Sequence, residues 1–559
     1  MKRKALSGIA VATASAMLLA GCGQGDSGND GGDNISGQQT EQESKTGESK
    51  TGDEGSGNAT ASDEKVTISL FIADYEGIDY DNNPMTLLLE EKFNVELQFD
   101  VISSATDQNT ALNLSIASEE YSDVYLSPWL STAQVVSATQ GGVFIPLNDY
   151  IVDGTSYRKA LDENPGWEGM VTSPDGNIYT FFYNDSGVHK ASEYKMWYRS
   201  DWMENIGWDA PPTTPEEFKQ FLIDIRDKDA NGNGDAGDEI PLMGYYNGRQ
   251  TDPICFLMNP FELYTNNYYY IDDNNEIHFS AITDEWREGL AYIADLYAEG
   301  LIDEATYSQD QATFKGILNK DGQDAQIGVF PCWYQGAEID TTVMSWFTYE
   351  AMAPLKGDHQ QSAARFGGNF NLVGAISSQC EHPEKAFEIL DYLISEEGSW
   401  MGMWGMEGTT YEMVDAENLY GGDRAVKQTV DKLIPDYLWN SGCFPRYDKE
   451  EMRYAAILDE STKESDNTFT LLKAAQTYEP YYVNHHIPDI VWCGDEQVVQ
   501  AVTDYSATIN DYIKATDTEF IMGRQDINDD AAWQAYLDQL DAMGLQDYIE
   551  TLYTYYDLR

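Results

Sequence analysis

The alternation of strand-like and helix-like apolar patterns from residue 65 onward restricts the fold more than any other feature of this sequence. "KVTISLFIA" (65–73) is a β-branched apolar run, the apolar residues from Met85 to Phe93 have helical spacing, and "VELQFDVI" (95–102) and "SDVYLS" (122–127) read as two more strands. The succession predicts βαβ units, and so a sheet covered by helices. Farther along, Trp286, Leu290, Ile293 and Tyr297 recur at helical spacing and Gly300 follows as a stop, while Ala386, Ile389, Leu390 and Leu393 form a second stripe. With 559 residues, 42% of them hydrophobic, the chain can build two or more lobes with full cores. It shows no internal repeat.

Thirty-three basic against 96 acidic residues give a formal net charge of −63, a field that repels nucleic acid and anionic membrane surfaces. The N-terminus opens with Lys2, Arg3 and Lys4, continues with "ALSGIAVATASAMLLA", and ends in "LAGC". That layout resembles a bacterial lipoprotein signal, cut before Cys22, with the cysteine carrying the lipid; the alternative is an ordinary secretory signal. Residues 1–21 are therefore read as the signal and 22–63, a polar Gly/Ser/acidic run, as a disordered tether with a reach on the order of 35 Å. Beyond the signal no segment is a membrane-span candidate. Cys255, Cys332, Cys380, Cys443 and Cys493 are odd in number and widely spaced, which suits isolated packing cysteines better than a disulfide framework.

Four segments carry a specific likeness: "MWYRSDWMENIGWDAPPTTPEEFKQFLIDIRDKDANGNGDAGDEIPL", "REGLAYIADLYAEGLIDEATYSQD", "GMEGTTYEMVD" and "EFIMGRQDINDDAAWQAYLDQLDAMGL". Together they resemble the extracellular solute-binding proteins of family 1 that serve ABC transporters, the branch with the alginate-oligosaccharide binders and LplA-type lipoproteins. The resemblance implies a periplasmic-binding-protein-like α/β fold of class II type, with two α/β lobes, a hinge and a ligand cleft between them. It also implies an oligosaccharide ligand, delivery to the transmembrane subunits of an ABC permease, a monomer, and no catalysed reaction. The expected segments are 64–190 for the first lobe, 191–350 for the second, 351–398 for a return to the first, and 399–559 for the rest of the second. The expected location is the outer face of the cell membrane, held by Cys22, with a Gly/Ser tether that suits a Gram-positive cell.

The stretch "DANGNGDAGDEIP" (229–241) follows a helix signalled by Thr214, Pro215 and Glu217 and by apolar residues at Phe218, Phe221, Leu222 and Ile225. Alternating Asp and Asn with interspersed Gly lets a curled backbone aim successive oxygens at a calcium ion. Two registers are open. From Asp227 the match to an EF-hand puts Gly234 where an apolar residue usually sits and Asp238 in place of the closing Glu. From Asp229, the register the resemblance implies, the ligands of a structural Ca2+ are Asp229, Asn231, Asn233, Asp235, Asp238 and Glu239, with one extra residue before the Asp-Glu pair. An unmetallated Asx-Gly turn is the plain alternative.

A sugar offers apolar C–H faces and a rim of hydroxyls, so the cleft is sought among aromatics near strand ends. Trp333 follows the apolar run "IGVFPCW", Trp129 ends "DVYLSPW", and Asp74 and Tyr75 follow the first strand. Trp492 in "DIVWCGDE", Trp404 in "MWGMEGTTYEMVD" and Trp197 in "EYKMWYRSDW" join them through the resemblance, with core packing as the alternative for each. Arg365 and Arg446 are scarce cations for which a surface ion pair is the expected fate, and His485 and His486 lack a partner at zinc spacing. A glycan-active enzyme is the second reading, since carboxylates abound, but no nucleophile elbow, zinc motif or phosphate loop is present. A peptide-binding lipoprotein of the same fold is the third. The negative charge points to a neutral glycan.

Overall fold

The structure is a computed structural model that describes residues 65–74, 78–102, 108–126, 130–246, 250–320, 322–340, 343, 347–365, 369–429, 438–441, 444–458, 467–483 and 487–559. Cys22, Tyr75, Trp129, Cys443, His485 and His486 lie outside the described residues. Glu64–Arg559 form one compact unit.

Sixteen strands occur among the described residues: β1 (Val66–Ala73), β2 (Val95–Ile102), β3 (Val124–Leu126), β4 (Thr180–Asp185), β5 (Met196–Arg199), β6 (Ile240–Leu242), β7 (Tyr269–Ile271) and β8 (Ile277–Phe279) come first. They are followed by β9 (Ile327–Pro331), β10 (Tyr349–Met352), β11 (Ala363–Ala364), β12 (Asn369–Ile376), β13 (Tyr411–Val414), β14 (Ala425–Gln428), β15 (Arg446–Tyr447) and β16 (Tyr482–Val483). One six-stranded sheet runs β15-β4-β12-β3-β1-β2, and a four-stranded sheet runs β10-β5-β9-β6.

The expected βαβ start is present. β1 pairs in parallel with β2 from Val66–Val95 to Ala73–Ile102, and with β3 on its other side. Ile68, Leu70, Phe71, Ile72 and Ala73 are all buried, as an inner parallel strand covered on both faces requires. The crossover helix Pro84–Phe93 begins with Pro84 after Asn83, whose side chain caps the Met85 amide, and stops at Asn94 in the left-handed region at φ 53°. The helix Pro215–Asp227 buries Phe218, Phe221, Leu222 and Ile225, the residues its sequence spacing selected, and Trp286, Leu290 and Ile293 are buried on the helix Asp284–Ala298.

Each large sheet has its own core. Tyr125, Phe181, Leu390 and Trp439 pack around the first; Phe218, Trp286, Leu290 and Tyr536 pack around the second. Sheet membership also shows where the chain changes lobe. It leaves the first sheet after β4, returns to it at β12, forms the separate hairpin pair β13-β14, rejoins the first sheet at β15, and reaches the second lobe again with the helix Asn467–Tyr478, whose Tyr478 hydroxyl accepts from the Met196 amide. β10 and β11 precede β12 in the chain, and β15, which lies in the first sheet, follows residue 399, a placement that the sequence pattern does not announce. The reason is that a two-residue strand such as β15, framed by Pro445 and Asp448, has no hydrophobic period to read.

Candidate ligand-binding cleft

Strand direction locates the edge of each lobe that faces a ligand. β4 runs antiparallel to β12, which runs antiparallel to β3, so β1, β3 and β4 all end at one edge of the first sheet, and β15 ends there too. Asp74 lies at that edge, with its amide donating to the Ile102 carbonyl at 2.7 Å. Asp185, the last residue of β4, lies there as well and opens the first crossing, 186–195. In the second sheet β5 is antiparallel to β9 and begins where β9 ends, so the crossing enters at the edge from which Trp333 projects. Both sheets thus turn the ends of their parallel strands toward the crossings, the position at which open α/β sheets bind ligands.

Trp333 is half-buried. Its ring runs nearly parallel to that of His189, with centroids 6.2 Å apart at 23°, and edge-on to Tyr334 at 5.3 Å. Its backbone is fixed by Lys195, a fully buried residue whose ammonium donates to the carbonyls of His189 (2.8 Å), Trp333 (3.0 Å) and Ser192. Burial pushes this lysine down to about 7, against the opposing pull of Cys332 and Glu193. Burial, and then the charge of Lys195, push His189 down to about 3, so its ring is neutral beside the tryptophan. Asn467 donates to the Tyr334 hydroxyl at 2.9 Å, which ties the same loop to the later crossing.

A charged network fastens the start of the first crossing. Asp185 pairs with Lys190 and Arg453, and accepts from the Gly187 amide at 2.9 Å. Burial alone would raise its carboxyl, but Arg453 and Lys190 hold it well below the usual range. Arg446, expected at the surface, is buried: its Nε lies 2.6 Å from Asp448, its guanidinium sits over the Tyr183 ring at 4.9 Å, and it donates to the Gly402 carbonyl. The Val188 amide donates to the Tyr454 hydroxyl at 3.0 Å. β4, the first crossing and the 446–454 segment are therefore tied together by ion pairs and hydrogen bonds.

The other aromatics divide clearly. Trp197 is wholly buried between β9 and β10, with its indole N–H on the Cys332 carbonyl at 2.8 Å, and is a packing residue with no face for a ligand. Trp404 is 8% exposed, donates to the Met452 carbonyl at 2.8 Å, and packs with Tyr411, Val426 and Ala455. Trp492 is half-buried and donates to the Met170 carbonyl at 2.8 Å, which seats its segment on the first lobe. Arg365 is exposed and acts electrostatically on Asp489. Sequence reading missed Lys195, His189 and Asp185. The one available signal was a lysine between Tyr194 and Met196 at the start of an apolar strand. Among the described residues Cys255, Cys332 and Cys380 are buried free thiols, and Cys493 is half-buried and free.

The acidic loop is wound on itself. Asp227 pairs with Arg226 at 2.7 Å, while Asp229 accepts from the Gly234 amide at 2.9 Å, so the turn starts at Asp229. Asn231 accepts from the Asn233 amide and donates to Asp238 at 3.2 Å; Asn233 accepts from the Asp235 amide at 2.7 Å. One oxygen of Glu239 accepts from the Ala230 and Asn231 amides at 2.6 and 3.2 Å. Its other oxygen and Oδ1 of Asp229 are buried with no hydrogen-bond partner. Among the described residues no three His, Cys, Asp or Glu side chains are arranged to hold a metal ion.

Two lobes with strand ends facing chain crossings define a periplasmic-binding-protein-like solute-binding fold, and the likeness to solved structures is of the same kind. The HMO-binding solute-binding protein of Bifidobacterium longum infantis superimposes with a TM-score of 0.74 at 20% identity, covering 88% of this chain and 99% of that one. FusA of Streptococcus pneumoniae, solved as an EF-hand mutant with fructo-nystose, gives 0.65 at 22% identity with the same coverage, and the alginate-binding protein AlgQ2, solved without calcium, gives 0.60 at 20% over 89% of this chain and 99% of that one. In sequence, the chain is 26% identical over 514 residues to the fructooligosaccharide ABC transporter substrate-binding protein FusA of Streptococcus pneumoniae serotype 4, covering 88% of this chain and 90% of that protein. It is 23% identical over 344 residues to Lipoprotein LipO of Bacillus subtilis, 60% of this chain and 65% of that protein. No protein-family model matches it. The chain is a homologue of ABC transporter substrate-binding proteins. Among the described residues no helix is long and apolar enough to cross a membrane.

Proposed function

We propose that the protein captures a neutral oligosaccharide in the cleft between its lobes and delivers it to the permease of an ABC importer, held at the outer membrane face by a lipid on Cys22. The carrying observation is Trp333: a half-buried indole at the end of β9, on the edge where the crossings enter, with its backbone held by a buried lysine. Asp74 at the edge of the first sheet and Trp492, seated on the Met170 carbonyl, are the partners assigned with it, as are Tyr75 and Trp129, which follow β1 and β3 in sequence. An aromatic face takes the C–H surface of a sugar, and polar side chains around it take the hydroxyls. The relative named as a fructooligosaccharide substrate-binding protein, and the chain's own charge of −63, support a neutral ligand.

The loop at 229–239 is assigned a structural calcium ion. Asp229, Asn231, Asn233, Asp235, Asp238 and Glu239 would hold it, and the orphaned oxygens of Asp229 and Glu239 supply the fit. The ion would neutralise the packed acids next to the C-terminus of the helix Pro215–Asp227, which carries partial negative charge of its own. Calorimetric titration of the tether-free protein with neutral and uronate oligosaccharides, with product formation followed in parallel, tests the reading. Micromolar binding of a neutral oligosaccharide without product supports it, whereas binding of uronates alone, or steady cleavage, overturns it.

A further inference from the structure

A cavity of about 320 Å³ lies in the second lobe between the loop after β6, the segment preceding β7 and the helix Glu496–Ile521. Asp517, only 3% exposed, lines it from the helix. One of its carboxylate oxygens is 3.5 Å from the indole nitrogen of Trp286; the other is buried without a hydrogen-bond partner. Oδ1 of Asn510, on the same helix, is also buried without one. Asp252 lines the cavity from the other side, with one oxygen accepting from the Ile254 amide at 3.1 Å. Asp511 adds a third carboxylate. Lys514 is the one cation of the lining, and its ammonium sits over the Tyr246 ring at 4.2 Å.

One lysine faces three carboxylates here, and no hydrogen bond from it reaches the orphaned oxygen of Asp517. A buried carboxylate oxygen with no donor is strongly disfavoured unless it is protonated or a cation supplies the missing hydrogen bonds. Burial accordingly pushes Asp252 up to about 6 and Asp517 well above the carboxylate range. The unpartnered oxygens of Asp517 and Asn510, with the Asp252 carboxylate lining the same cavity, offer acceptors to the N–H groups of an ammonium. Tyr264 and Tyr268, both packed against Trp286, line the same space with aromatic surface of the kind that attracts organic cations.

We propose that this cavity binds a small primary amine, its ammonium seated among Asp517, Asn510 and Asp252 and its carbon body against Tyr264 and Tyr268. The site is separate from the residues assigned to the oligosaccharide and does not depend on that assignment.

Methylammonium chloride is the probe, titrated calorimetrically into the full chain at constant ionic strength against sodium chloride. The expected result is saturable one-site binding that weakens by about tenfold or more in Asp517→Asn. Should Asp517→Asn fail to fold, Asp252→Asn replaces it and the same loss is expected. Absence of saturable heat, or equal affinity in wild type and variant, overturns the proposal. So does a calcium titration in which Asp517→Asn removes a calcium site while methylammonium gives none.

Discussion

Lys195 and Trp333 are joined by a 3.0 Å hydrogen bond from a buried ammonium to a backbone carbonyl, and the same ammonium also serves His189 and Ser192 on the first crossing. The residue that shapes the proposed sugar platform is thus bolted to the hinge. Lys195→Met keeps the volume but leaves three carbonyls without their donor, which costs on the order of 3 kcal/mol of stability. Urea denaturation measures this directly. Lys195 is pushed down to about 7 in the folded chain against about 10.4 unfolded, so the unfolded state binds more protons between these values and this group's contribution to stability rises with pH through that window; Lys195→Met should flatten the profile there, and an unchanged slope would rule the link out.

Two tryptophans that look alike in sequence should behave differently. Trp333→Ala removes a half-exposed platform, so affinity should drop by about 1 to 3 kcal/mol with little change in melting temperature. Trp404→Ala empties a buried site and breaks the bond to Met452, so stability should fall by about 3–5 kcal/mol. Parallel melting and titration of the two variants separates platform from core.

Acid should loosen the hinge. His189 is pushed down to about 3 in the folded chain, against about 6.5 when unfolded. The unfolded state therefore binds more protons between these values, and stability contributed by the neutral ring is lost as pH falls below about 6.5. Asp185 acts in the same sense at lower pH, since its carboxyl is held down by Arg453 and Lys190 and its contribution vanishes on protonation. His189→Gln should flatten the stability profile between about pH 6.5 and 4. A variant profile as steep as the parent's would place the titrating group elsewhere.

Chelation should lower the melting temperature through the 229–239 loop. In Glu239→Gln the response to EDTA should shrink, because the variant leaves a neutral amide where the orphaned carboxylate oxygen sits. Differential scanning calorimetry with and without EDTA reads it out; a full response in the variant would remove Glu239 from the site.

The first sheet and the capped helices were legible because their signals are local. β1 is continuous β-branched sequence, and Thr214 with Pro215 announces a helix before any contact is known. In the acidic loop the sequence left two registers open; the structure adds that Asp227 is paired with Arg226 while Asp229 caps the turn at Gly234. The place of β15 was hidden, since the strand is two residues long and its position beside β4 depends on the distant pairing of Arg446 with Tyr183. The same holds for the site. Strand-end position marked Trp333, but the fate of Trp197 and Trp404 turned on which carbonyl each indole could reach, a property of packing with no sequence period.

The central claim is capture in a cleft that carries Trp333 on one side. Titrating the neutral oligosaccharide that binds wild type into Trp333→Ala tests it most directly. The account predicts one site per chain in wild type and at least about tenfold weaker binding in the variant, with the melting temperature preserved. Equal affinity in the two proteins would contradict it and would place the sugar away from the edge where the crossings enter.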